Sequence, residues 1–232
     1  MGSTASNPSY SNTSSSGSGH DEIRVLCLGD SLTAGTIDHY SKMPYSSCLS
    51  QLLQARGHNN ITFVNAGVNG DTVPRMQERL NTLLRQDTFH YLILLGGTND
   101  LGWINTDDLT KSPEDIAAGI SFQGIYDMLL NAPHLKAFLH LTVPYVAFDR
   151  LDPRFKDVKD ALNHRILLRD CPKKRVLDLN RPDLKFNHIL MSEATRERYW
   201  HDSLHYTATG YQRMAESIYD DVLAMIQEQH QE

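Results

Sequence analysis

The sequence contains little cysteine and no long apolar run. Its 232 residues include only three cysteines, Cys27, Cys48 and Cys171, too few and too scattered for a disulfide framework or a zinc cluster. We therefore expect reduced thiols and a cytoplasmic location. No apolar stretch approaches the roughly 20 residues that span a bilayer, and the N-terminus lacks the pattern of a signal peptide. Stable membrane insertion is not expected.

Basic residues are also scarce. The 22 lysines and arginines are outnumbered by 28 aspartates and glutamates, which gives a formal net charge of -6. No basic run is long enough to follow a phosphate backbone, so nucleic acid is not an expected partner. The composition favours no particular oligomeric state.

The first twenty residues are rich in serine and have no apolar periodicity that would offset the entropy cost of ordering them. We predict a disordered tail over residues 1–20 and one domain over residues 21–232. The tail begins with a short match to the N-myristoylation pattern, Met1 to Ser6. No polybasic cluster accompanies it, and one acyl chain anchors a protein only marginally, so lipid anchoring is the less favoured interpretation.

From residue 23 onward, short apolar runs alternate with amphipathic segments, which is typical of strands and crossover helices in a parallel sheet. Near-continuous apolar strands indicate burial on both faces. Strands are predicted at 23–28, 61–64, 91–95, 136–143 and 175–179. Helices are predicted at about 45–55, 73–85, 113–131, 156–168 and 210–227. The pattern predicts an α/β protein, a three-layer α/β/α sandwich, whose ligands would bind beyond the carboxyl ends of the strands.

A serine follows the first strand directly, in Gly29-Asp30-Ser31-Leu32. Serine is common in turns and at helix N-caps, and it becomes a nucleophile only beside a base that a third group orients. Asp202 and His205, three residues apart before the last helix, are spaced so that a carboxylate could hold one imidazole nitrogen while the other faces a serine.

Acyl transfer also requires donors for the oxyanion of the tetrahedral intermediate. The segment 65–72 follows the second strand, where Gly67 could present a backbone N–H, and 96–100 follows the third, where Asn99 carries an amide. A turn or a helix cap would account for either segment alone. The four clusters in this order, each beside a predicted strand end or the last helix, favour a hydrolase.

Ser31, Gly67, Asn99 and His205, with Asp202, resemble the SGNH subgroup of the GDSL hydrolases. The resemblance implies a flavodoxin-like five-stranded parallel sheet. It also implies that Ser31 attacks the carbonyl, that His205 serves first as base and then as acid, and that Asp202 orients the imidazole. The backbone N–H groups of Ser31 and Gly67 and the side chain of Asn99 would hold the oxyanion. No metal and no organic cofactor is implied.

The expected partner is a small-molecule acyl ester. Esterase activity on small carboxylic esters is favoured, and thioesters or acetyl esters, lysophospholipids and acetylated carbohydrates are the alternatives. Trp103 and Tyr206 lie near the predicted strand ends and are interpreted as substrate-pocket residues.

Two other classes of function compete with the esterase. His201 and His205 reproduce the two-histidine spacing of zinc-protease helices, with Asp202 in place of the usual glutamate, which would indicate a metal-dependent hydrolase. A binding module could also keep the fold without activity.

Overall fold

The structure, a computed structural model, describes residues 22–104 and 108–228. Five parallel strands form one sheet in the order β2-β1-β3-β4-β5. Their bounds are β1 Ile23–Gly29, β2 Ile61–Gly67, β3 Tyr91–Leu95, β4 Ala137–Leu141 and β5 Lys174–Leu177. This order confirms the predicted flavodoxin-like sheet, and it brings the carboxyl ends of β1, β2 and β3 side by side.

The described residues also form ten α-helices and a 3-10 turn at Pro182–Leu184. The helices are α1 Ser31–Ala34, α2 Tyr45–Gln54, α3 Val73–Gln86, α4 Thr98–Trp103, α5 Pro113–Ala117, α6 Gln123–Asn131, α7 Phe148–Leu151, α8 Pro153–Leu168, α9 Glu193–Tyr199 and α10 Ala208–Gln227.

The core consists of two apolar layers, one on each face of the sheet. Side chains alternate along a strand, so in β1 Val25 and Cys27 join the layer under α2 and α10, whereas Leu26 and Leu28 join the layer under α3, α5, α6 and α8. The predicted α/β/α sandwich is therefore confirmed. The three cysteines are buried free thiols.

Two parts of the prediction are wrong, namely the burial of two strands on both faces and the continuity of one helix. The edge strands β2 and β5 are only partly buried, because each has a neighbouring strand on one side only. The helix predicted at 113–131 is two helices, α5 and α6. Gly119 and Ser121 lie in the break, and both are weak helix formers.

No helix within the described ranges is long and apolar enough to span a membrane. The predicted tail over residues 1–20 and its myristoylation pattern lie outside the described residues.

Candidate active site

Ser31 is the first residue of α1, immediately beyond the carboxyl end of β1. Asp30 caps this helix, since its Oδ1 accepts a hydrogen bond from the Leu32 N–H at 2.9 Å. The Asp30 side chain is fully buried, and that burial raises its pKa to about 7. The short capped helix presents the serine at the edge of the sheet.

The end of β2 lies against this helix because residue 67 is glycine. A Cβ at Gly67 would lie 2.0 Å from the Ala34 nitrogen, a separation that no side chain could occupy. Gly67 also pairs in register with Gly29 at the end of β1. The missing side chain thus allows the backbone of β2 to approach the turn that carries Ser31.

Ser31, His205 and Asp202 lie in a hydrogen-bonded series. The Ser31 Oγ is 3.0 Å from His205 Nε2, and His205 Nδ1 is 2.9 Å from Asp202 Oδ2. With the proton on Nδ1, the imidazole donates to the carboxylate and its Nε2 accepts from the serine hydroxyl. This arrangement allows the histidine to remove the proton of the serine.

The loop between α9 and α10 holds both Asp202 and His205. Asp202 Oδ1 accepts from the backbone N–H groups of Leu204 at 2.7 Å and of His205 at 2.6 Å. Partial burial acts to raise the pKa of Asp202, but these bonds and the bond from the His205 ring outweigh it, so the pKa lies below its ordinary value. Asp202 is therefore a carboxylate at neutral pH, as an orienting group must be.

The three predicted oxyanion donors lie at adjacent strand ends. The Asn99 side-chain amide donates one of its two hydrogens to the Asp71 backbone carbonyl at 2.9 Å. The Gly67 N–H donates its single hydrogen to Asn65 Oδ1 at 2.8 Å, so this bond competes with its predicted role as an oxyanion donor. Among the described residues the Ser31 N–H has no acceptor. Asn99 is placed by Gly97, whose φ of 103° lets the chain turn directly from β3 into α4.

An arginine that the sequence analysis did not identify connects these strand ends. Arg79 of α3 donates from Nε and Nη2 to Asp71 Oδ2, at 3.0 and 2.7 Å. Its Nη2 also donates to the Gly29 carbonyl at 3.0 Å, and its Nη1 to the Ala66 carbonyl. The signal in the sequence is weak: an arginine flanking the buried face of an amphipathic helix.

The two predicted substrate-pocket aromatics lie in different environments. Tyr206 is fully buried and packs against Trp200 and Tyr211, with ring centroids 4.3 and 5.1 Å away. Its prediction as a pocket residue is wrong, because a side chain enclosed in the core cannot contact a ligand. Trp103, at the end of α4, is 83% exposed, and its role stays a prediction.

The metal-site alternative has little support from the geometry of its residues. A two-histidine metal motif requires a helix that places both rings on one face, whereas His201 and His205 lie in the loop between α9 and α10. Both ring nitrogens of His205 are within hydrogen-bonding distance of other side chains. Within 22–104 and 108–228, no group of three or more His, Cys, Asp or Glu is arranged to hold a metal ion.

Similar folds occur in solved structures. A lipase/acylhydrolase from Enterococcus faecalis has 20% identity and a TM-score of 0.61, over 86% of this chain and 95% of that one. A catalytic mutant of the acetylxylan esterase Axe2 from Geobacillus stearothermophilus has 19% identity and a TM-score of 0.64, over 87% and 94%. The psychrotrophic esterase EstA from Pseudoalteromonas sp. has 17% identity and a TM-score of 0.60, over 88% and 99%.

The sequence comparisons agree with the fold. A search of curated protein sequences finds no significant match. The model of the GDSL-like lipase/acylhydrolase family, in contrast, matches residues 27–213, a span that runs from β1 into α10 and includes every residue of the candidate site. The chain therefore belongs to the GDSL-like lipase/acylhydrolase family.

Proposed function

We propose that this protein is a serine esterase that hydrolyses small carboxylic esters through an acyl-enzyme. The observation that carries the proposal is the series Ser31–His205–Asp202, with separations of 3.0 and 2.9 Å, at the carboxyl edge of the sheet. Family membership supports ester hydrolysis as the reaction.

The first half of the reaction forms the acyl-enzyme. Ser31 Oγ attacks the ester carbonyl while His205 Nε2 takes its proton, and Asp202 stabilises the resulting imidazolium. The negative charge that develops on the carbonyl oxygen is held by the Ser31 N–H and by the second hydrogen of the Asn99 amide. The Gly67 N–H would join them only by releasing Asn65 Oδ1. As the intermediate collapses, the C–O bond breaks and His205 protonates the leaving alcohol.

The second half regenerates the enzyme. Water loses a proton to His205 Nε2 and attacks the acyl carbon, and the carboxylic acid leaves as the proton returns to Ser31 Oγ. The same donors stabilise the second oxyanion. These steps require only the side chains and backbone N–H groups of this protein, the ester and water.

We further propose a short acyl group as the favoured substrate. The similar structures include an acetylxylan esterase and a lipase/acylhydrolase, so acetylated carbohydrates and longer acyl esters are the alternatives. A series of p-nitrophenyl esters of increasing acyl length separates them, since kcat/KM would peak at acetate or butyrate for a small pocket and rise with length for a lipid substrate.

Replacement of the nucleophile tests the proposal. Ser31→Ala should lower turnover of p-nitrophenyl acetate by at least about 1000-fold and abolish labelling by a fluorophosphonate. Ser47→Ala, an exposed serine on α2, is the matched control and should keep both.

A Ser31→Ala variant that still turns over the ester would contradict the mechanism. A wild-type protein that neither hydrolyses esters nor reacts with the fluorophosphonate would support the binding-module alternative instead. Circular dichroism of each variant verifies that the fold is retained.

A further inference from the structure

Arg79 lies at the junction of three parts of the candidate site. It extends from the second turn of α3 to the carboxyl ends of β1 and β2, where its guanidinium donates to the Gly29 and Ala66 carbonyls and to the Asp71 carboxylate. The side chain is 22% exposed, so these bonds form largely away from solvent. A planar fork of five N–H donors suits such a set of acceptors, whereas a lysine ammonium does not.

The contact with Ala66 fixes the peptide unit at the end of β2, beside the turn that carries Ser31. The Ala66 carbonyl and the Gly67 N–H belong to one peptide unit, which is planar and trans. Fixing the direction of the carbonyl therefore fixes the direction of the N–H, which points the opposite way. A charged donor on the carbonyl oxygen also polarises the unit, and this strengthens the hydrogen bond from the Gly67 N–H to Asn65 Oδ1.

The contact with Asp71 bears on an oxyanion donor. Two N–H groups of Arg79 bind one carboxylate oxygen of Asp71, while the backbone carbonyl of the same residue accepts from the Asn99 amide at 2.9 Å. Arg79 thus fixes the residue that orients the Asn99 side chain. Asp100, the residue after Asn99, also links α4 to α3, since its carboxylate accepts a hydrogen bond from the Val73 N–H at the start of α3.

We propose that Arg79 is a positioning residue for the oxyanion hole, acting through Asp71 on Asn99. The inference rests on the proposed esterase function and assigns a role to a residue that does not itself contact the reacting atoms. It predicts that loss of the guanidinium lowers the rate of the chemical steps more than substrate binding, because the donors stabilise charge that develops in the transition state.

The first test compares two arginines of α3. Arg79→Met keeps the apolar length of the side chain and removes its donors. It should lower kcat about 10-fold to 100-fold, the effect expected of donors displaced by a fraction of an ångström to about one ångström, with KM nearly unchanged. Arg75→Met, an exposed position one turn earlier, should leave both constants unchanged. Turnover is expressed per serine titrated with a fluorophosphonate, so that unfolded protein does not contribute.

The second test detects coupling to Asn99. If Arg79 acts through Asn99, the loss in kcat for Arg79→Met with Asn99→Ala should be smaller than the product of the two single losses. A loss in kcat for the double variant that equals the product of the two single losses would overturn the proposal. A purely structural role would lower the titratable fraction and the melting temperature without changing turnover per titrated serine.

Arg79→Lys tests the positioning role if the Arg79→Met variant does not fold. Lysine keeps a positive charge beside Asp71 but lacks the fork, so kcat should still fall, and full turnover in this variant would overturn the proposal. The outcome is separable from the proposed function. Hydrolysis by Ser31→Ala would refute the esterase mechanism, whereas an inactive Ser31→Ala with a fully active Arg79→Met would refute only the positioning role.

Discussion

Asn99 is held with one of its two amide hydrogens still available. Its Nδ2 donates one hydrogen to the Asp71 carbonyl at 2.9 Å, and a carboxamide carries two. The residue is only partly buried, so the second hydrogen is accessible to a ligand. A hydrogen bond that already fixes the side chain lowers the cost of organising the donor at the moment of reaction.

Replacement of this amide should therefore affect turnover more than stability. Asn99→Ala is expected to lower kcat about 100-fold to 1000-fold, the usual effect of losing one oxyanion donor, with KM little changed. Steady-state hydrolysis of p-nitrophenyl acetate measures both constants. Asn81→Ala, an exposed asparagine on α3, is the control. A loss of activity that only parallels a loss of folded protein would assign Asn99 a structural role instead.

At the scale of single residues, the sequence predicts those side chains that follow a strand end or precede a helix. Ser31 and Asn99 belong to this class, because their places depend on local turns. Arg79 does not, since its acceptors are 8, 13 and 50 residues away in the chain. Tyr206 shows the opposite error: it adjoins His205 in sequence, but its side chain packs into the aromatic cluster of the core.

At the scale of elements, an ion pair in the core fixes the connection between β4 and α8. Lys159 of α8 donates to Asp149 Oδ2 at 2.5 Å and to the Pro144 carbonyl at 3.1 Å, and both side chains of the pair are essentially inaccessible to solvent. The Ala147 N–H in this connection donates to the Ser203 carbonyl at 3.2 Å. The pair thus supports the loop that carries Asp202 and His205.

Breaking this pair on one side should be costly. Lys159→Met leaves the Asp149 carboxylate buried without its cation, which should lower the free energy of unfolding by about 3 to 5 kcal/mol. Lys156→Met is a matched control on the same helix, since it removes a 2.5 Å pair with Asp160 that is partly exposed, and it should cost about 1 kcal/mol or less. Urea unfolding measures both. Equal losses in the two variants would contradict this account of burial.

The accuracy of the predicted helices and strands differs along the chain, and the differences have physical reasons. The strand β3 and the helix α3 have strong apolar periodicity, and their bounds are close to those predicted. The short helices α1 and α4 were not predicted, because four to six residues carry no periodic signal. Caps and tertiary contacts set them instead, such as Asp30 for α1 and the left-handed Gly97 for α4.

At the scale of the whole molecule, the parallel sheet brings the residues of the candidate site together at the carboxyl ends of its strands. This arrangement buries an acidic side chain close to other carboxylates, which is electrostatically unfavourable. Asp30 caps the nucleophile helix from a fully buried position, and its Oδ2 has no hydrogen-bond partner among the described residues. Burial is the largest cause that raises its pKa from 3.8 to about 7. The Leu32 N–H opposes the shift, while the Asp100 and Asp71 carboxylates add to it. The ionised form of Asp30 therefore opposes folding.

The pH dependence of stability should report this cost. Because the pKa of Asp30 is higher in the folded state, folding is favoured when the group is protonated, and its contribution is lost as the pH rises from about 4 to about 7.

Asp30→Asn cannot ionise and still offers Oδ1 to the Leu32 N–H. Relative to the wild type, its free energy of unfolding should rise across this range by as much as about 4 kcal/mol. Urea unfolding from pH 4 to pH 8 measures the difference, and Asp157→Asn, an exposed position on α8, should follow the wild-type curve. Parallel curves for Asp30→Asn and the wild type would mean that Asp30 is ionised throughout, with a partner that stabilises its charge.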